Sequence, residues 1–295
     1  MKNFSTSGAL FSRNFSLNLK GNIIDLSTPR VMGIINATPD SFYKGSRMPD
    51  PNQAVQMARE MIHQGADILD VGALSSRPGA EEISEEEELN RLSPVLEAIK
   101  NQIPESVISV DTWRAGVARV VHERFGVEMI NDISAGQLDP AMFSTIAKIG
   151  ISYVMMHMQG TPSSMQEAPE YNNVVDDLLQ FFGERVQKLR KLGVNDIVID
   201  PGFGFGKRLE QNYKILLDLD AFQFLELPLM VGISRKSMIY RPLELDPEQS
   251  LNGTTAAHMA ALLKGANLLR VHDVEAAVET VKIFRQIVNS RSQSV

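Results

Sequence analysis

Gly65-Ala-Asp-Ile-Leu-Asp-Val-Gly72 is a glycine followed by a short apolar run. The same phrase returns at Gly150-Ile-Ser-Tyr-Val-Met-Met156, Gly193-Val-Asn-Asp-Ile-Val-Ile-Asp200 and Gly265-Ala-Asn-Leu-Leu-Arg-Val271. Each glycine closes a helical period, as helix C-termini favour, and each run is apolar on both faces, as parallel strands buried on both sides require. Working outward, runs of this kind occupy residues 30–37, 66–73, 107–112, 128–134, 152–158, 196–202, 228–234 and 267–273. Their starts are spaced by about 34 residues, room for one strand, one helix and two loops.

Between the runs lie helical periods at residues 53–64, 85–101, 114–125, 140–149, 172–192, 210–221, 248–264 and 274–288, with apolar residues at three- and four-residue steps. Ser84 followed by Glu87 is a capping-box spacing. The acidic run 81–88 reads as a solvated first helical turn that complements the dipole rather than as a metal site. Eight strands alternating with eight helices predict a (β/α)₈ TIM barrel. Ahead of them, Phe15, Leu17 and Leu19 alternate, and Gly21-Asn22 leads into Ile23, Ile24 and Leu26, which predicts a β-hairpin closing the barrel floor. Residues 1–14 are expected to be a frayed N-terminal extension and residues 15–295 a single domain.

Composition narrows the function. The chain has 295 residues, 29 Lys and Arg against 36 Asp and Glu, and no Cys. A large core is therefore available, while thiol nucleophiles, thiolate metal sites and disulfides are excluded. The net charge of −7 argues against a protein that coats nucleic acid. No stretch approaches the roughly 18 to 20 apolar residues of a membrane span. Residues 1–24 carry Lys2, Arg13 and Lys20 with no acid, superficially like a transit peptide, but no long apolar segment follows; a cytoplasmic protein is expected.

What ends each run points to chemistry. The eight runs lead into Asn36, Ser75-Ser-Arg77, Asp111, Asn131-Asp132, His157, Asp200, Ser234-Arg-Lys236, and Arg270 with His272-Asp273. In a (β/α)₈ barrel all these ends share one face, where active sites lie. Single strand-end polar residues commonly cap helices, but a full circle of mixed charge exceeds that role. Arg77, Lys236, Arg270 and His272 are donors suited to an anion such as a diphosphate. Asp111, Asn131 and Asp200 suit a planar heterocycle with several N–H groups. Gly202-x-Gly204-x-Gly206 lacks the dinucleotide spacing and reads as a loop that lets backbone approach a ligand. The five His show no paired metal spacing, and Trp113 reads as packing.

In order along residues 30–275, Met32-Gly-Ile-Ile-Asn-Ala-Thr-Pro-Asp-Ser-Phe42, Ser75-Ser-Arg-Pro-Gly-Ala80, Ser109-Val-Asp-Thr112, Ile130-Asn-Asp132, Met156-His-Met-Gln-Gly-Thr-Pro162, Ile199-Asp-Pro-Gly-Phe-Gly-Phe-Gly-Lys207, Ser234-Arg-Lys-Ser237 and Arg270-Val-His-Asp273 closely resemble the dihydropteroate synthase family. The resemblance implies a pterin-binding barrel that condenses 6-hydroxymethyl-7,8-dihydropterin diphosphate with 4-aminobenzoate in folate biosynthesis. Carried onto matching positions, it implies that Ser76, Asp111, Asn131, Met156, Asp200 and Lys236 hold the pterin. It assigns the diphosphate to Asn36, Arg77, Arg270 and His272, with Asn36 on a Mg²⁺ ion, and the aminobenzoate to Pro78, Phe205 and Ser237. Asp111, Lys236 and Arg77 are the implied catalytic residues. It also implies a cytoplasmic homodimer and a sulfonamide target.

The implied chemistry is driven by departure of the leaving group, with cations neutralising the charge that develops on diphosphate and Asp111 stabilising the pterin cation. No protein nucleophile is needed. Residues 37–50 and 74–83 read as lids over the reaction. This chain departs from the family's pattern at Gly72-Ala-Leu-Ser-Ser-Arg77, where Gly-Gly-Glu-Ser-Thr-Arg is more usual, and at Tyr43-Lys-Gly-Ser-Arg47 in the first loop. Two other readings compete: a pterin barrel that passes a methyl group from a reduced folate, which would need no anion cluster, and a pterin-binding paralogue without turnover.

Overall fold

A computed structural model describes residues 15–19, 21–36, 50–73, 83–161, 165 and 169–292. The expected extension at residues 1–14 lies outside them. The chain enters through an antiparallel hairpin, β1 (Ser16–Leu19) and β2 (Asn22–Asp25), in register from Ser16↔Asp25 to Leu19↔Asn22. Eight parallel strands follow: β3 (Arg30–Asn36), β4 (Ile68–Gly72), β5 (Ile108–Asp111), β6 (Met129–Asp132), β7 (Ser152–Met156), β8 (Ile197–Asp200), β9 (Met230–Val231) and β10 (Leu268–Val271). Their order is β8-β7-β6-β5-β4-β3-β10-β9. Ile199 N–H donates to the Pro228 carbonyl at 3.0 Å and Ile199 bridges Leu229, which closes the ring between β8 and β9.

Helices α1 (Pro51–Gln64), α2 (Glu85–Gln102), α3 (Ala115–Phe125), α4 (Met142–Ile149), α5 (Val174–Lys191), α6 (Leu209–Leu217), α7 (Ser237–Tyr240), α8 (Leu251–Leu263) and α9 (Val274–Ser292) lie between and after the strands. Alternate strand residues such as Leu69, Val71, Ile108 and Val110 pack outward in one core with residues of these helices. The expected fold, a (β/α)₈ barrel with a hairpin at its floor, is the one observed.

Two helices differ from expectation. The period at 210–221 divides into α6 and a 3₁₀ turn over Leu219–Leu225, with Asp218 at the break in non-helical geometry. The period beginning at 248 yields a 3₁₀ turn at Pro247–Gln249 before α8 starts at Leu251. Ser84 accepts from Glu87 N–H at 3.1 Å as its spacing predicts, but Glu87 spends its carboxylate on Arg91 at 2.7 Å. Glu88 overturns the view of this acidic run as wholly solvated. It is fully buried and ion-paired to Arg114, whose other arm donates to the Ile83 carbonyl.

The floor explains why the mouth is open to function and the base is not. Leu17, Leu19 and Leu26 are buried against inward residues of seven strands, Met32, Ile68, Met129, Val154, Val198, Met230 and Leu268. Each leucine buried there contributes roughly 1.5–3 kcal/mol. Polar ties hold the plug in place: Asn18 N–H donates to Asp196 at 2.8 Å, and Ser152 Oγ donates to the Asn18 carbonyl at 3.1 Å.

Candidate active site

Side chains on a strand point to the same face at every second residue. With Ile68, Met129, Val198 and Leu268 on the floor, the next inward positions are Asp70, Asn131, Asp200 and Arg270, so a polar layer sits on the apolar plug. Asp111, the last residue of β5, pairs in register with Gly72 on β4 and with Asn131 on β6.

Arg270 organises this layer. Its Nε donates to Asp70 Oδ2 at 2.6 Å and one terminal nitrogen donates to Asp111 Oδ2 at 2.8 Å. Asn131 Nδ2 donates to the same Asp70 oxygen at 3.1 Å. Asn131 Oδ1, Asp70 Oδ1 and Ser109 Oγ are buried without a hydrogen-bond partner among the described residues. Burial pushes the Asp111 carboxyl up to about 7; Arg270 opposes the rise and the like charges of Asp70, Glu88 and Asp132 add to it.

Across the mouth, Asp200 Oδ1 accepts from Gly202 N–H at 2.7 Å. Burial raises its pKa, against the pull of the nearby Lys236 ammonium. Lys236 Nζ donates to the Phe203 carbonyl at 2.6 Å and sits 4.5 Å from the centre of the Phe205 ring. Burial lowers Lys236 to about 8, partly offset by Asp200. Two carboxylates and one ammonium thus stand close together, each shifted from its ordinary value chiefly by burial, a pattern that marks functional sites.

The loop after β8 is fixed by glycine and by one buried cation. A Cβ at Gly202 would lie 2.0 Å from the His157 carbonyl oxygen, and its φ of +71° is left-handed, so no other residue fits. Lys207 Nζ donates to the carbonyls of His157 at 3.2 Å, Gly202 at 3.0 Å and Phe205 at 2.9 Å, and lies 3.0 Å from His157 Nδ1. Burial and the Lys207 charge keep the His157 imidazole neutral, and its ring packs edge-on to Phe181 at 4.6 Å. His157 is therefore scaffold, and the glycine loop is a rigid shelf that presents Phe205.

The other expected residues distribute as follows. Met156 is buried with Trp113, Ile133, Met158 and Met165, and Phe205 packs against them, forming an apolar wall; Trp113 is packing, as its sequence context predicts. Ser237 begins α7 and is partly exposed. Asn36 is exposed at the end of β3. His272 lies on Ser234, its Nδ1 3.1 Å from Ser234 Oγ, and desolvation followed by the charges of Arg270 and Arg235 lowers it to about 4. Ser76, Arg77 and Pro78 lie outside the described residues, as do 37–49 and 74–82 of the two expected lids.

Three further strand-end groups, Asp132, Arg235 and Asp273, serve structure instead. Asp132 accepts from Ser134, Gly136 and the Tyr153 hydroxyl, the last at 2.6 Å. Arg235, held at φ +54°, pairs through two nitrogens with Asp273 and ties the β9 loop to the end of β10. Sequence reasoning missed Asp70 and Lys207. A carboxylate in the middle of an otherwise apolar run was the available signal for Asp70, since a buried charge demands a partner. For Lys207 the signal was a lysine closing a glycine-rich loop.

The family described as pterin binding enzyme matches residues 32–272 of this chain. The dihydropteroate synthase of Escherichia coli strain K12 is 42% identical over 274 residues, covering 92% of this chain and 96% of the relative. A Yersinia pestis dihydropteroate synthase solved in complex with a sulfonamide drug superposes with a TM-score of 0.87 at 41% identity, over 92% of this chain and 99% of that one. The Xanthomonas albilineans dihydropteroate synthase solved with 4-aminobenzoic acid gives a TM-score of 0.86 at 37% identity, over 96% and 100% of the two chains.

Proposed function

We propose, for a chain that belongs to the dihydropteroate synthase family, a division of labour among the residues at the barrel mouth. The reaction is the family's: (7,8-dihydropterin-6-yl)methyl diphosphate and 4-aminobenzoate give 7,8-dihydropteroate and diphosphate in folate biosynthesis. The pterin is assigned to Asp111, Asn131, Asp200, Lys236 and Met156, and to Ser76. Its diphosphate meets Arg77, Arg270, His272 and Asn36. The aminobenzoate takes the slot of Phe205, Ser237 and Pro78.

The observation that supports this reading best is the buried polar layer itself. Asn131 Oδ1 has no partner among the described residues, while Asp111 and Asp200 are carboxylates that both feel the charges of Arg270 and Lys236. Such acceptors are costly unless a ligand with N–H donors completes them. Lys236 and Arg270 supply the positive charge that a leaving diphosphate needs. As the methylene C–O bond breaks, its electron pair leaves with diphosphate and Asp111 faces the cation that remains. The aniline lone pair then forms the C–N bond, and its N–H proton passes to diphosphate or water.

A magnesium ion fits this chain as a passenger on the substrate. Among the described residues no group of three or more His, Asp or Glu is arranged for a metal. Asn36 offers one exposed carbonyl oxygen at the rim, which suits an ion held mostly by phosphate and water. When bound, Mg²⁺ supplies neutralisation of the diphosphate charge. A homodimer is supported by exposed apolar residues on the last helices, Ile283 at 57% and Leu251 at 43% among them. The Cys-free composition fits the reducing cytoplasm as its compartment. Sulfonamides, as aminobenzoate mimics, would enter the Phe205 slot.

Lys236→Ala tests the assignment. It removes the ammonium shared by the pterin and the neighbouring aminobenzoate slot, so turnover should fall roughly 100-fold with weaker binding of both substrates. Unchanged steady-state kinetics would take Lys236 out of the site.

A further inference from the structure

Asp70 has no part in the functional reading above, yet it is a fully enclosed carboxylate beside the groups that reading uses. It is fully buried in the middle of β4. One of its oxygens, Oδ2, accepts from both Arg270 Nε at 2.6 Å and Asn131 Nδ2 at 3.1 Å, and the other has no partner among the described residues. Arg270 is a planar fork whose nitrogens cannot be reoriented separately. With Nε on Asp70 and one terminal nitrogen on Asp111, the remaining terminal nitrogen makes no hydrogen bond to a described residue. That leaves one donor of an otherwise fixed cation for an incoming anion.

We propose that Asp70 is a positioning residue for the synthase reaction: it anchors the Arg270 fork by Nε, so that a single guanidinium is shared between Asp111 and the departing diphosphate. This rests on the assignment of Arg270 and Asp111 made above. The same carboxylate orients Asn131, because Nδ2 on Asp70 turns Asn131 Oδ1 away as an acceptor. Asp70 thus sets the direction of two ligand-facing groups without touching the substrate. Buried cations with two carboxylates are strained in charge, and a merely stabilising pair would need only one of them. As diphosphate engages Arg270, the hold of Arg270 on Asp111 weakens, and Asp111 becomes the counter-charge for the pterin cation.

The charges that act on Asp111 are Arg270 from β10, Asp70 from β4, Glu88 from α2 and Asp132 from β6, with Lys236 across the mouth. Asp70→Asn removes one like charge and leaves Arg270 free to pair more fully with Asp111. Both changes favour ionised Asp111, so the acid limb of the kcat/KM profile for the dihydropterin diphosphate should move to lower pH. Turnover should fall about tenfold or more, because the fork is no longer held. Asp70→Glu keeps the charge but displaces the anchor; its acid limb should stay in place while kcat falls.

The test is a double-mutant cycle of Asp70→Asn and Arg270→Lys, with pH profiles and thermal melts of every variant. The proposal expects strong non-additivity, the double variant losing little more than Arg270→Lys alone. Additive losses, or a folded Asp70→Asn enzyme with unshifted acid limb and full turnover, would overturn it. Full activity in Arg270→Lys would overturn the assignment of Arg270 and this proposal with it; an impaired Arg270→Lys beside a fully active Asp70→Asn overturns the role of Asp70 alone. If Asp70→Asn fails to fold, Asp70→Glu decides: an unmoved acid limb with reduced kcat supports the anchor, and full kcat contradicts it.

Discussion

Asn131 and Asp132 are neighbours with opposite fates, and the difference is a single step along a strand. The period of two turns Asn131 into the barrel beside Asp70 and Asp132 outward to Tyr153 and Ser134. Asp111, Asn131, Asp200 and Arg270 were legible because each interrupts an apolar run near its end. Which of two adjacent polar residues faces into the barrel was not, because that needs the register. Charge at this scale also fixes pH dependence. Asp111 must be ionised to face a cation and is raised to about 7, so kcat/KM for the diphosphate substrate should fall below that pH. Lys236 must be protonated and is lowered to about 8, so the same parameter should fall above it. A narrow bell between these limbs is the expected profile; a rate flat from pH 6 to 9 would mean that neither group acts in the charge state assigned here.

Elements were legible where the helix and strand periods were clean and less so where they were short. Gly65, Gly150, Gly193 and Gly265 all adopt the left-handed geometry expected of helix ends next to strands. β9 was read as seven residues and pairs with β10 only at Met230 and Val231, since Leu229 is drawn to Ile199 on the other side to close the ring. The helix α7, four residues long, left no period to detect. The outer helices carry one further prediction. Ile283 and Ile287 on α9 are 57% and 38% exposed one turn apart, and Leu263 at the end of α8 is 37% exposed, apolar side chains that a second copy would cover. Light scattering should give twice the 32.7 kDa chain mass, and Ile283→Asp should shift it toward one chain with unchanged circular dichroism. A wild-type mass of one chain at micromolar concentration would remove the homodimer.

For the whole molecule, closure and plugging together explain why charged side chains of both signs gather at one mouth. The hairpin fills the base with leucine, so ligand access is confined to the end where the polar strand termini meet. A closed ring of parallel strands holds Asp70, Asp111, Asn131, Asp200 and Arg270 on separate strands, and their mutual pairing makes the pocket a pre-formed electrostatic environment rather than one assembled on binding. The fold was readable from eight apolar runs and the candidate residues from what ends them, whereas the pairing of Asp70 with Arg270 emerged only when distant strands were brought side by side. The central claim is that this mouth expels diphosphate from the dihydropterin and hands the carbon to an aniline. The direct measurement is diphosphate release by the purified protein supplied with the dihydropterin diphosphate and Mg²⁺, with and without 4-aminobenzoate. The account predicts release that requires 4-aminobenzoate and yields dihydropteroate in equal amount; binding of the pterin with no product in either mixture would contradict it.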